Sequence, residues 1–137
     1  MSDQKTSGEV RDYAAFAYDF EACNIDAAAF THADHIGVAY EMLRKYDFVS
    51  ACSKYSHSIN TIATNAGVPD KFNVTVTLAF LSLIAERIET TAHDNYATFL
   101  QRNADLLNSS LLEKWYSRAR LRSELARSVF LLPDAAA

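Results

Sequence analysis

The sequence predicts an all-α protein: one compact bundle of about five to seven helices packed around a central apolar helix at 71–91. Three observations predict it. Only 3 Gly and 2 Pro punctuate 137 residues, too few for the tight turns of an all-β fold. Apolar residues recur at spacings of three and four in one segment after another. The stretch from Lys71 to Thr91, KFNVTVTLAFLSLIAERIETT, is the most apolar long run. Its β-branched start competes as a strand, but the run continues to Ile88, and strict alternation fails after Leu78.

Each element has its own signal. Residues 1–8 are polar and are expected to be a disordered tail. From Glu9 to Ala22, Val10, Tyr13, Phe16, Ala17 and Phe20 make an amphipathic helix. A connector with a short turn at Asp26 leads to Thr31, which caps a helix over 31–46. Asp34 stands where a capping box needs its second partner, and Phe30 staples the entry. Asp47 caps a third helix, with Phe48, Cys52, Tyr55, Ile59, Ile62 and Ala66 as its inner stripe. Gly67, Pro69 and Asp70 stop it and start the central helix, with Asp70 as the expected cap. A shorter helix begins at His93-Asp94. Another opens at Asn108-Ser-Ser110, where Ser110 and Glu113 fit a capping box. Ser123 caps a last helix, Glu124 to Phe130, and 134–137 is a tail. Residues 9–133 therefore form a single helical domain, the usual size for one core.

Charge and cysteine usage narrow the function classes. A net charge of -4 gives no general attraction for phosphate backbones, so no nucleic-acid partner is expected. Cys23 and Cys52 fit no metal or redox spacing and suit a reducing compartment. No run reaches the ~18 apolar residues of a membrane span, and the N-terminus lacks the apolar core of a signal peptide. A cytoplasmic protein with no membrane partner is expected.

Three polar intrusions are candidate sites. At roughly 100° per residue, Thr75, Ser82, Glu86 and Glu89 fall on the wet face of the central helix. Asn73 and Thr77 fall on the opposite side with Phe80, Ile84 and Ile88. Buried polar groups without partners cost about 1–3 kcal/mol each, so something polar should face them. The local alternative is that Thr77 bonds back to the Asn73 carbonyl and Asn73 satisfies free backbone donors. His32 and His35 share a face at a helix start, where two imidazoles can bind an anion or do acid–base work, which makes them the catalytic candidates. They can equally be packed core histidines. A metal would need more ligands, so no metal is expected. Tyr116, Arg118 and Arg120 belong to a run of alternating arginines that can hold a carboxylate or pair with nearby acids such as Asp105 and Glu113. His57 and His93 are expected to be solvated.

Three stretches resemble a family of small bacterial proteins to which no activity is attached. Phe30-Thr-His-Ala-Asp-His35-Ile-Gly-Val-Ala-Tyr40 is similar to its Thr-His-x-x-His segment. Lys71-Phe-Asn-Val-Thr-Val-Thr77 is similar to its Tyr-His-Glu-Thr-x-Thr segment, and Trp115-Tyr-Ser-Arg-Ala-Arg-Leu121 to its Tyr-Tyr-Ser-Arg-x-x-Leu ending. The chain departs from the pattern at Asn73-Val74, where the family has His-Glu. Asn hydrogen-bonds but does not titrate and is a poor metal ligand, and Val does neither.

The expected function is binding of a small ligand between helices 31–46 and 71–91, at His32, His35, Asn73 and Thr77. In its anionic version Tyr116, Arg118 and Arg120 close the site over the charge. No cofactor is indicated. The alternative is a helical interaction or dimerisation module, suggested by the aromatic-rich first helix and the serine-rich face near Ser50 to Ser58.

Overall fold

The computed structural model describes residues 11–135. They form seven α-helices joined by loops and four short 3-10 turns, and no strand occurs among the described residues. The expected helical segment at Glu9 and Val10, the tail at 1–8 and the last two residues lie outside that range. No helix among the described residues is long and apolar enough to cross a membrane.

Helix α1 (Tyr13–Glu21) starts where the Asp12 carboxylate accepts the Ala15 N–H, and buries Tyr13, Ala17 and Phe20. Just beyond its end, Cys23 turns the chain with a left-handed φ of 60°. The Asp26 side chain caps the 3-10 turn Ala27–Ala29.

Helix α2 (His32–Lys45) has the expected capping box: Thr31 accepts the Asp34 N–H while the Asp34 carboxylate accepts the Thr31 N–H. Asp34 is only 4% exposed because it is used again. Its Oδ1 accepts the Tyr13 hydroxyl at 2.9 Å, and Arg11 lies 3.7 Å away. Phe30 packs its ring 4.3 Å from that of His35, one turn into the helix, which is the hydrophobic staple. The α1–α2 contact is close because position 37 is glycine: a Cβ there would overlap the Tyr13 ring. The buried side of α2 takes in Ile36, Val38, Ala39, Tyr40 and Met42.

Helix α3 (Phe48–Asn65) is capped by Asp47 and buries Ala51, Tyr55, Ser58 and Ile62. Phe48, expected inward, is 46% exposed, because the first helical residue rims an open groove instead of reaching the core. Gly67, with φ 79°, turns the chain after it.

Helix α4 (Val74–Thr90) is the central element and packs against α2, α3 and the last helix. Two expectations about it need correcting. Its cap is Asn73 and not Asp70, because Pro69–Lys71 closes a separate 3-10 turn, and Asn73 Oδ1 then takes the Val76 N–H at 2.9 Å. Thr75, expected on the wet face, is fully buried. The C-terminal segment crosses this face, and the Thr75 hydroxyl donates to the Val129 carbonyl at 2.7 Å and accepts the Leu131 N–H at 3.0 Å. Ser82, Glu86 and Glu89 are exposed as expected.

Helix α5 (Tyr96–Arg102) starts three residues later than expected, since Asn95 and Thr98 form a capping box of their own. His93 is not solvated. Its Nδ1 meets the Tyr40 hydroxyl at 3.0 Å and its ring lies against Phe99. The helix expected from Ser110 is instead the 3-10 turn Leu111–Lys114, because the Ser110 side chain makes no cap bond. Another 3-10 turn, Ala104–Leu107, precedes it. Two short helices follow, α6 (Arg118–Leu121) capped by Ser117 and α7 (Glu124–Ser128) capped by Ser123. Residue 134 is not free tail: the Asp134 carboxylate accepts both the N–H and the hydroxyl of Ser117 at 2.7 Å.

Candidate functional site

A cavity of about 220 Å3 opens between α2, α3 and α4. His32, His35, Asn73 and Thr77 all line it, so the two histidines of the α2 start face the two polar residues of the α4 start. Most of the remaining wall is apolar and includes Ile36, Ile59, Val76, Phe80 and Ile84. Such a wall is what the 3.6-residue period produces where three helices turn their dry sides together without filling the space.

Each polar group has a definite state. His32 is the first residue of α2, and its Nε2 lies 2.9 Å from the Leu106 carbonyl. A carbonyl only accepts, so the ring donates from Nε2. The other side of the ring problem is solved by Phe80, which meets it edge to face at 5.2 Å. His35 places Nδ1 2.8 Å from the Tyr55 hydroxyl. That hydroxyl has one proton, and the alternative acceptor, the His35 carbonyl, is 3.5 Å away. The short contact takes the Tyr55 proton, which puts the His35 ring proton on Nε2.

Burial is the main cause that lowers the pKa of His35 to about 4, His32 adds to it, and Asp34 opposes it. At neutral pH His35 is therefore an uncharged imidazole, a hydrogen-bonding group and not a store of positive charge. Burial also pushes the ionisation of Tyr55 far upward, so its hydroxyl stays protonated.

Asn73 is largely spent on structure. Its Oδ1 caps α4, and its Nδ2 donates to the Leu121 carbonyl at 2.8 Å, which leaves one amide proton. Thr77 is different. The local alternative for its hydroxyl is absent: the Asn73 carbonyl receives the Thr77 backbone N–H at 3.0 Å, and among the described residues the hydroxyl itself has no partner. Lys71 and Ser109 also reach the cavity wall. Neither was singled out in the sequence, where Lys71 read only as the first residue of the central helix and Ser109 as part of the opening of a later one. Tyr55 was legible as core but not as the partner of His35.

The arginine segment does not close the site, and that expectation is corrected. Arg118 donates to Glu113 at 3.1 Å, Arg120 donates to the Leu132 carbonyl at 2.7 Å, and the buried Tyr116 hydroxyl donates to the Leu131 carbonyl at 2.8 Å. Arg120 and Tyr116 thus brace the C-terminal segment, while Arg118 is paired with a neighbouring acid. Asp105, the other acid near them in sequence, is held by Arg87 through paired 2.9 Å bonds. The cation at the cavity is Lys71.

Among the described residues no three of His, Cys, Asp and Glu gather into a metal-binding group. Comparisons with protein-family models, with curated proteins and with solved structures found no match.

Proposed function

We propose that the protein binds a small, largely apolar carboxylate in the cavity between α2, α3 and α4. The observation that carries this is the chemistry of the uncommitted polar atoms. Thr77 offers a hydroxyl with no partner among the described residues, Asn73 a spare amide proton, His35 its Nε2–H and the exposed Lys71 an ammonium group, while among the described residues no Asp or Glu lines the wall. A wall rich in donors and carrying one cation suits an acceptor-rich, negatively charged group. The apolar remainder suits a hydrocarbon body.

Size sets the scale of that body. An apolar cavity of roughly 150 Å3 holds benzene, so 220 Å3 corresponds to about nine heavy atoms. Benzoate has that size and serves as the probe. Calorimetric titration is expected to show benzoate binding and no binding of benzylamine, which matches it in shape but carries the opposite charge. Thr77→Val should weaken benzoate about tenfold or more, the worth of one hydrogen bond to a charged group. Equal binding of the amine, or no carboxylate binding at millimolar concentration, would overturn the proposal. Free thiols at Cys23 and Cys52 support a cytoplasmic setting.

Pairing with a second copy of the chain is the alternative, and one observation favours it. Leu125, Val129, Phe130 and Leu132 are between 44% and 69% exposed near the C-terminal end. The α1 aromatics that suggested pairing in the sequence are mostly turned inward, with Tyr18 as the exception at 68% exposed. Light scattering separates the two cases: Leu132→Asp should shift a dimer to monomer, and a monomeric wild type at high concentration would end this alternative.

A further inference from the structure

The His35 ring lines the main cavity and a smaller one of about 160 Å3 beside it. Among the described residues neither space has an Asp or Glu in its wall. The charged and titratable groups around the ring are His32 and Asp34 on its own helix, Tyr55 on α3 and Lys71 on the connector to α4. From α4, Asn73 and Thr77 line the same cavity, and neither titrates. From the α1 side, Tyr13 and Arg11 meet Asp34. Asp34 is the adjacent acid, but one of its oxygens accepts the Thr31 N–H and the other the Tyr13 hydroxyl. The protein thus leaves His35 without a committed counter-ion, and burial holds the ring neutral.

The surroundings also provide for the charged ring. In the neutral state Nδ1 accepts the Tyr55 proton at 2.8 Å. A second acceptor for that proton, the His35 backbone carbonyl, lies 3.5 Å from the same oxygen. When Nδ1 takes a proton from solvent, the Tyr55 hydroxyl turns its own proton to this carbonyl and accepts the new Nδ1–H through its oxygen. The change leaves neither donor without an acceptor, and Nε2 keeps its proton.

What the charged ring lacks is an anion. The cavity is small, 220 Å3, so a carboxylate in it stands within about 4–7 Å of the ring whichever way the ligand lies. At that distance it raises the proton affinity of the ring by on the order of a hundred- to a thousandfold. We propose that carboxylate binding is coupled to proton uptake: the ligand supplies the counter-ion of an imidazolium at His35, and Tyr55 reverses its hydrogen bond to hold it. The coupling rests on the carboxylate reading above, and it makes the site bind more tightly as pH falls.

Benzoate is titrated calorimetrically at pH 6 and pH 5, each in two buffers of different ionisation enthalpy. In the wild type close to one proton should be taken up per benzoate at pH 5, and affinity should rise about five- to tenfold from pH 6 to pH 5. His35→Gln keeps a donor but does not titrate, so it should take up none and change by less than about twofold. Tyr55→Phe keeps the ring but offers Nδ1–H no acceptor, and should lose about half of the uptake or more. Nitrogen NMR of the wild type decides the assignment should a variant fail to fold or to bind: saturation with benzoate at pH 5 should convert His35 Nδ1 from an unprotonated to a protonated nitrogen. Uptake that persists in His35→Gln, or an Nδ1 that stays unprotonated, places the proton on the ligand or on His32 and overturns the coupling. Undiminished uptake in Tyr55→Phe overturns the part assigned to Tyr55. Benzoate binding without uptake at either pH overturns the coupling while carboxylate binding stands. If benzoate does not bind the wild type at either pH, both fall.

Discussion

Between pH 6.5 and about 4 the wild type is expected to lose about 3 kcal/mol of stability that a His35→Gln variant does not lose. The sign follows from where the proton binds first. In the folded chain the pKa of His35 is held near 4, against 6.5 for an unperturbed imidazole, mainly by burial and secondly by His32. Unfolding exposes the ring, so over this window the unfolded chain carries the extra proton and stability rises with pH. The contribution is complete above the unfolded value and is lost as pH falls through the folded one, at about 1.4 kcal/mol per pH unit. Urea melts of the wild type and His35→Gln from pH 7 to 4.5 measure it. Carboxylates that protonate near the low end act on both proteins and cancel in the comparison. Parallel pH profiles would show that the His35 ring is not held neutral. The variant also loses the acceptor for Tyr55, so its stability at pH 7 is lower; the slope is the diagnostic quantity.

The parts of this molecule that were legible in its sequence are those decided within one turn of helix. Thr31 with Asp34, Asp47 and Ser123 all cap helices through a short side chain and a backbone N–H three residues on. The four polar residues around the cavity were legible for a related reason. The helical period tells which side of α2 and of α4 is dry, and a polar residue on that side is conspicuous whatever it faces.

What was not legible depends on distant segments. Thr75 lies on a face that would be wet if α4 ended the fold, and residues more than fifty positions later cover it. His93 is drawn in by Tyr40, and Arg120 is taken by the Leu132 carbonyl. A helical wheel gives directions and not neighbours. The choice between Asp70 and Asn73 as the α4 cap was open in principle, since both residue types cap well; the 3-10 turn after Pro69 decides it. Asn73 was legible as a polar residue on the dry side of the central helix and not as its cap. Its two bonds, to Val76 and to Leu121, give that residue a structural task that an amide performs with both its ends.

Thr75→Val should destabilise the protein by about 3 kcal/mol, although it exchanges side chains of nearly equal size. The fully buried hydroxyl serves two backbone groups at once, the Val129 carbonyl and the Leu131 N–H. Valine orphans both. The N–H of buried Leu131 cannot recover a partner from water and carries most of the cost, about 1–3 kcal/mol; the carbonyl of half-exposed Val129 recovers part of its loss. Thr75→Ser keeps the oxygen and gives up one methyl group, so about 1 kcal/mol or less is expected for it. The difference between the two variants isolates the hydrogen bonds from the packing. Chemical denaturation measures it, and hydrogen exchange at the Leu131 amide locates it. The segment it releases is held elsewhere by three side chains, Tyr116 on Leu131, Arg120 on Leu132 and Ser117 on Asp134. Exchange should therefore quicken across 129–135 before the rest of the bundle opens. Equal stability of the Val and Ser variants would mean that the segment does not rest on Thr75. Because Thr75 does not line the cavity, folded Thr75→Val should bind benzoate as the wild type does. Thr77→Val, two residues along the same helix, should do the reverse, with ligand affinity lost and little change in stability, because its hydroxyl has no partner among the described residues.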